Sequence, residues 1–155
     1  MKGVHPSVST HHIYIKEDCK PVRQPQRRMK PTLKDIVKEE LQKLFDAGFI
    51  YSIFDSKWVP PLVQVPKKNG KWRIYVDYQE LNKVTKKDHF PLPFIDQVLD
   101  GLAGKKFFSF LDGFSGYNQI QISPKDQDKT TFTCPWGTFA YQVLPFGLCN
   151  APTSF

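Results

Sequence analysis

The sequence predicts an α+β fold, with a mostly antiparallel sheet and short helices packed around it. Three observations carry that expectation. Residues 32–47 hold an apolar stripe at helical spacing, and Asn69-Gly70 joins two β-rich runs. The remaining strand and helix signals are interspersed without the regular alternation of βαβ units. The chain has 155 residues, 40% of them hydrophobic, with 13 Phe. That suffices for the core of one domain, or of the first part of a larger one, and argues against disorder.

Residues 1–30 are polar and irregular, with Pro6, Pro21 and Pro25 and a basic group at Arg23, Arg27, Arg28 and Lys30. They read as an extended arm in which Ile13-Tyr14-Ile15 forms a short strand. The clearest helix follows over 32–47, where Leu33, Ile36, Val37, Leu41, Leu44 and Phe45 fall on one face. Pro31 and Thr32 mark its start, Asp35 is placed in the first turn, and Gly48 lies just past the end. Lys34, Lys38 and Lys43 take the solvated face. Trp58 to Pro66 and Trp72 to Asp77 then flank Asn69-Gly70, a hairpin signal, with the prolines confining the first run to an edge or bulge. The tip carries Lys67, Lys68, Lys71 and Arg73. These suit either phosphate binding or protection of an exposed strand edge.

Tyr78 to Val84 reads as one short helix. Pro91 to Gly104 contains another, with Phe94, Ile95, Val98, Leu99 and Leu102 on one face. Phe107 to Leu111 reads as a buried strand delivering Asp112 to a rim. Gln119 to Ile122 alternates as a half-buried strand, and Pro124 to Lys129 is a polar turn in which Asp126 and Asp128 are read as solvated. Thr130 to Cys134 and Thr138 to Leu144 are strands about a turn at Pro135-Trp136-Gly137. Asp77 and Asp96 are assigned structural places, at a hairpin end and on a helix face. Pro152 is suited to a first helical turn, so the chain stops inside a starting helix, as a truncated domain would.

A formal net charge of +7 favours polyanionic partners, nucleic acid first and an anionic membrane surface second. No apolar run approaches a membrane span, and the opening residues lack the apolar core of a signal peptide. Cys19, Cys134 and Cys149 show no CxxC spacing and read as reduced thiols of an intracellular protein, in small buried places. Asp112, at the end of an apolar run with Tyr117 five residues beyond, has the character of a metal-binding carboxylate beside a ring on which a sugar stacks. Two-metal phosphoryl transfer needs further carboxylates, and the sequence offers no convincing second one.

Four stretches together carry a resemblance. They are Trp72 to Lys83 (WRIYVDYQELNK), His89 to Pro93 (HFPLP), Phe108 to Tyr117 (FSFLDGFSGY) and Leu144 to Pro152 (LPFGLCNAP). They resemble the reverse transcriptase of gypsy-type LTR retrotransposon pol polyproteins and, less closely, retroviral reverse transcriptases. Four motifs in the family's order and spacing, over nearly the whole chain, are far more specific than any one alone. Lys2 to Ser7 and Cys134 to Phe139 are most similar to plant elements of that group.

The resemblance implies an RNA-directed DNA polymerase of right-hand shape. Residues 31–155 would be the fingers and first part of the palm, and 1–30 an extended basic arm. The helix and basic hairpin would belong to the fingers, and the run to Asp112 would begin the palm. The implied reaction joins a dNTP to a primer 3′-hydroxyl with two Mg²⁺ ions. Asp112 would be the first catalytic carboxylate, with the Gly113 backbone carbonyl helping to hold metal. Tyr117 would be the steric gate against a 2′-hydroxyl. Lys67 and Arg73 would clamp the β- and γ-phosphates, although Pro66, where many relatives have lysine, leaves Lys67 and Lys68 as alternatives. Phe146 and Gly147 would line the nucleotide pocket, and Lys68, Lys71 and Pro145 would meet nucleic acid. Asp112-Gly113-Phe114 departs from a commoner form of the motif.

The family's aromatic-x-Asp-Asp motif is absent, as are thumb and ribonuclease H regions. Implied partners are an RNA or DNA template with primer, dNTP and the rest of the polyprotein, with no membrane. The implied location is the cytoplasm or a virus-like particle, or else the nucleus. The chain alone is expected to be inactive and poorly soluble, with an unpaired sheet edge. A non-catalytic relic or nucleic-acid-binding module is the second reading, and an interaction protein docking through the 32–47 helix the third.

Overall fold

The computed structural model describes residues 3–66, 70 and 72–155. Its first long element is α1 (Pro31–Asp46), which buries Leu33, Val37 and Leu41 and leaves Lys34 and Lys38 in solvent. Burying three such side chains contributes roughly 1.5–3 kcal/mol each. Pro31 occupies the first turn, where its missing N–H costs nothing. Asp35 falls beyond that turn, contrary to expectation, because the helix starts one residue early. The end is a Schellman motif: Gly48, at φ +70°, donates to Phe45 O and Phe49 donates to Leu44 O, both at 2.9 Å.

After β1 (Thr10–His11), the strands are β2 (Ile50–Ser52), β3 (Leu62–Pro66), β4 (Trp72–Val76), β5 (Gln121–Ile122), β6 (Phe132–Cys134) and β7 (Gly137–Tyr141). β2, β7 and β6 form one antiparallel sheet in that order, and β3 pairs antiparallel with β4. Among the strands of the described residues, β1 and β5 are the one parallel pair. The hairpin register runs from Leu62 opposite Val76 to Pro66 opposite Trp72, on either side of residues 67–71. Lys67, Lys68, Asn69 and Lys71 at its tip lie outside the described residues. Two further short helices, α2 (Gln79–Val84) and α3 (Ile95–Leu102), appear where the sequence places them, and α4 (Ala151–Ser154) starts around Pro152.

One core joins these pieces. Val37, Ile50, Tyr78, Phe132 and Leu144 are all buried in it. The Tyr78 hydroxyl donates to Thr130 O at 3.2 Å, and burial, with a smaller contribution from Tyr141, pushes its pKa well up. Such a phenol stays neutral and ties α2 to the strand region beneath it.

The amino-terminal stretch differs from its expected strand. The ladder forms at Thr10–His11, and Ile15 makes only an isolated bridge to Thr85. Ile13 is buried in the core, and its backbone N–H donates to Asp126 Oδ2 at 3.1 Å. Asp126 is therefore not the solvated carboxylate expected: it is buried, it is paired with Lys129, and it lies 3.5 Å from His12. A lysine-flanked Asp looks like surface in sequence, and only the docked arm turns it inward. The basic group is partly absorbed as well, with Arg23 on Asp55 at 2.5 Å and Arg27 on Asp77 at 2.8 Å.

The largest departure lies between 107 and 114. The expected strand Phe107 to Leu111 is an extended, unpaired segment, and Phe107, Phe110 and Leu111 are 92%, 87% and 98% exposed. β propensity measures fit to a pleated, half-buried surface, and among the described residues no strand lies beside this one to supply it. α3 shares the exposure: it buries no residue, and with the segment it lines an apolar cleft of about 400 Å³. Smaller corrections follow the same logic. Gly116–Gln119 winds into a 3-10 turn ahead of β5, and β7 spans Gly137–Tyr141 rather than reaching Leu144.

Candidate active site

The turn that follows the exposed segment is built by glycine. Gly116 N–H donates to Gly113 O at 2.9 Å, closing a tight reversal around Phe114 and Ser115. Ser115 sits at φ +49°, ψ +41°, the left-handed region that costs a non-glycine residue about 1–3 kcal/mol. The space above the turn is taken by the Phe155 ring from the end of α4. A Cβ on Gly113 would lie 2.9 Å from its Cζ, and one on Gly116 would overlap it. Tyr117 leaves this turn into a set of rings, at 4.9 Å from Phe146 and 5.3 Å from Phe155, edge-on to each. Such edge-to-face pairs contribute about 0.5–1.5 kcal/mol beyond their buried area.

Phe146 is held by the loop that follows Leu144. Gly147, at φ +102°, lets this loop pass beside the Tyr78 ring. Asn82, on α2, donates from Nδ2 to Gly147 O at 2.7 Å and accepts Cys149 N–H at 2.9 Å. Two separate motifs of the sequence are thereby clamped together. Asn150 does the same for the next segment, accepting Asp88 N–H at 3.1 Å and donating to Lys86 O at 2.9 Å.

Between hairpin and turn lies a cleft of about 480 Å³, lined by Arg73, Tyr75, Ser115, Asn118, Pro145 and Phe146 among others. Of the predicted site residues, it unites Arg73, Pro145 and Phe146 on one surface. Arg73 is exposed, with Nη1 donating to the Tyr75 hydroxyl at 3.3 Å, while Pro145 is buried within the wall. Tyr117 stands between the lining residues Ser115 and Asn118. Asp112 is exposed, three residues before Ser115 and not itself in the lining; the chain delivers it on coil, not on a buried strand. Gly113 offers its carbonyl to the turn hydrogen bond already described.

Sequence reasoning missed Glu40, Tyr75, Ser115 and Asn118 as lining groups. Glu40 comes from α1, where it pairs with Lys43 at 3.0 Å, and nothing in a helical pattern signals which turn will face a distant loop. Ser115 had one available signal, its place between two glycines of a tight turn. Deep in the cleft wall Tyr141 is buried, which pushes its pKa up to about 12. Among the described residues no three His, Cys, Asp or Glu side chains gather as a metal group.

The family model described as reverse transcriptase (RNA-dependent DNA polymerase) matches residues 65–155, which includes the end of β3, all of β4, the turn and the Phe146 loop. This chain belongs to the reverse transcriptase family. It is 37% identical over 158 residues to the retrovirus-related Pol polyprotein from transposon 412 of Drosophila melanogaster, covering 96% of this chain and 13% of that protein. It is 43% identical over 95 residues to the transposon Tf2-3 polyprotein of Schizosaccharomyces pombe, covering 61% of this chain and 7% of that protein. This reverse transcriptase chain therefore spans only a small part of the curated relatives it matches.

Among solved structures, prototype foamy virus protease-reverse transcriptase superposes with a TM-score of 0.80 at 26% identity, covering 92% of this chain and 19% of that one. The foamy viral protein solved with an RNA/DNA hybrid gives 0.80 at 24% identity, over 91% and 19%. The reverse transcriptase chain shares their α+β fingers and palm architecture. The family is metal-dependent, and no helix of the described residues is long and apolar enough to cross a membrane.

Proposed function

We propose that this chain is the fingers and first part of the palm of an RNA-directed DNA polymerase from a gypsy-type, plant-like retrotransposon pol polyprotein. Residues 31–155 form that domain and 1–30 the arm along it. One observation carries the reading: the cleft joins Arg73 of the hairpin to Phe146 and to the turn that follows Asp112. Arg73, with its planar fork, and Lys67 (or Lys68) receive the β- and γ-phosphates of a dNTP. Tyr117 faces the deoxyribose. Wedged edge-on between Phe146 and Phe155, its ring has little room to retreat from a 2′-hydroxyl. Phe146 and Gly147 line the nucleotide side, while Lys68, Lys71 and Pro145 meet the template and primer. The rest of the palm, the thumb and a ribonuclease H region are the partners, in the cytoplasm, a virus-like particle or the nucleus.

Mg²⁺ prefers oxygen ligands in near-octahedral array, and a pair of ions needs several carboxylates. Asp112 supplies one exposed carboxylate. The Gly113 carbonyl keeps a second lone pair beyond its bond to Gly116. These two donors suit the ion but do not by themselves hold two of them. Asp112 is assigned as one ligand of a centre that needs carboxylates from outside these residues, so the 155-residue chain alone is inactive. The unpaired run before Asp112 equally suits a non-catalytic relic, and the two readings differ in nucleotide binding.

The test is photocrosslinking of an 8-azido-dATP probe to the purified chain, together with primer extension. Crosslinks competed by dNTP better than by NTP, and weakened about tenfold by Arg73→Ala, are expected, with no primer extension. The tenfold loss corresponds to one charge-assisted contact. Crosslinking indifferent to competing dNTP would sink the nucleotide site. Template-dependent incorporation by the chain alone would overturn the assignment of an incomplete metal centre.

A further inference from the structure

Two rings brace Tyr117, and they are anchored independently. Phe146 rides on the loop that Asn82 clamps to α2. Phe155 comes from the end of α4, where its N–H donates to Ala151 O at 3.2 Å and continues the helical turn. A helix as short as α4 is not stable by itself, so its hold comes from outside. Ala151 is buried in the core, and Asn150 at the head of the helix bonds the 86–88 segment. Ser154 adds a third point. Its hydroxyl donates to Asn150 O at 3.2 Å and lies 2.7 Å from Nδ1 of buried His11. His11 is fixed in β1, opposite Ile122, and its carbonyl accepts Ser123 N–H at 2.9 Å. The amino-terminal arm thereby pins the residue next to Phe155.

Two glycines mark where the Phe155 ring belongs. Neither Gly113 nor Gly116 takes a left-handed φ, so the backbone does not call for glycine at either place. What leaves no room for a side chain is the ring, whose Cζ and Cε2 a Cβ on Gly116 would overlap. Phe155 is 65% exposed, and its covered part lies on these glycines and, edge-on, on Tyr117. One aromatic therefore joins the turn that carries the Gly113 carbonyl to the ring that leaves that turn.

We propose that Phe155 is a positioning residue for sugar selection. It braces the Tyr117 ring from the Gly113–Gly116 turn and keeps it where a 2′-hydroxyl would clash, and the His11–Ser154 contact holds Phe155 at that post. The proposal rests on the reading of Tyr117 as the sugar gate. A gate that loses one of its two edge-to-face contacts swings away from a ribose more readily, by roughly two- to tenfold in population.

The readout is the ratio of ATP to dATP concentrations that half-compete crosslinking of 8-azido-dATP to the 155-residue chain. Phe155→Ala is expected to lower that ratio about fivefold, with the dATP value itself within about twofold of the parent's. Phe155→Tyr retains the ring and should restore the ratio to within about twofold. Ser154→Ala keeps the ring and loses its anchor, so its ratio should fall between the parent's and that of Phe155→Ala; equality with the parent refutes the anchoring by His11. Tyr117→Ala is the control and should abolish discrimination. If it does so while Phe155→Ala matches the parent, the brace is refuted and the gate stands. If Tyr117→Ala also leaves the ratio unchanged, the gate reading falls and the brace with it. Ring-to-ring NOEs between Tyr117 and Phe155 in the unaltered chain are a second measurement, independent of how any variant folds. Their presence supports the brace, and their absence overturns it.

Discussion

Acidification from about pH 7.5 to 5 asks the fold to accept a proton on an imidazole it has already desolvated. His11 is 3% exposed, and burial lowers its pKa from 6.5 to about 4; the attraction of Asp126 opposes this and His12 adds a smaller lowering. The unfolded chain takes up this proton near 6.5, and the folded chain only near 4. The folded state binds fewer protons through that window, so its stability is intact above 6.5, falls as pH drops toward 4, and levels off below. Integrated over the window, the loss is about 3 kcal/mol, of which about 2 kcal/mol has gone by roughly pH 5. Since whole domains hold only about 5–15 kcal/mol, this is a large share. Urea unfolding followed by tryptophan fluorescence, with Trp58 as a buried reporter, measures it. His11→Gln keeps a polar partner for Ser154 without a titrating group. Its loss between the two pH values should be smaller than the parent's by about 2 kcal/mol, because every other titration is common to both. Equal losses in the two proteins would falsify the assignment of the acid sensitivity to His11, as would an imidazole that NMR finds titrating near 6.5 in the folded chain.

Three further outcomes follow from the contacts. Asn82→Ala removes the two hydrogen bonds that clamp Gly147 and Cys149, and should cost about 1–3 kcal/mol in urea unfolding. Gly48→Ala meets no atom within 4 Å, so its cost is backbone strain alone at φ +70°, about 1–2 kcal/mol; no loss of melting temperature would contradict the Schellman reading. Gly116→Ala forces the Phe155 ring off the turn and should change the Tyr117 ring environment by NMR, whereas an unchanged spectrum would show that the ring does not pack there.

Much of the fold was legible because local chemistry specified it. The α1 helix, the glycine after its end and the antiparallel pairing of the two β-rich runs each follow from chemistry within a few residues, and each is present. The run from Phe107 to Leu111 has equally strong β character, yet it stays unpaired: propensity says a segment suits a sheet and does not say which strand it meets. Asp126 failed for a related reason. Its burial depends on Ile13, 113 residues away, and nothing near it in sequence announces that partner. The cleft was half legible. Arg73 and Phe146 stood out as motif residues, whereas Glu40 lines it only because α1 packs beside the hairpin.

The sequence by itself determined the family and the kind of chemistry, since motif order, turn glycines and charge are properties of the chain. Tertiary structure decided which of these residues share a surface. Asn82 holding the Gly147 loop brings Phe146 to Tyr117, and a docked arm brings His11 to Ser154. The physical reason is range. Turns, caps and amphipathic faces are set by sterics and hydrogen bonds over a few residues, whereas a site is assembled by long-range packing that the folded core alone selects.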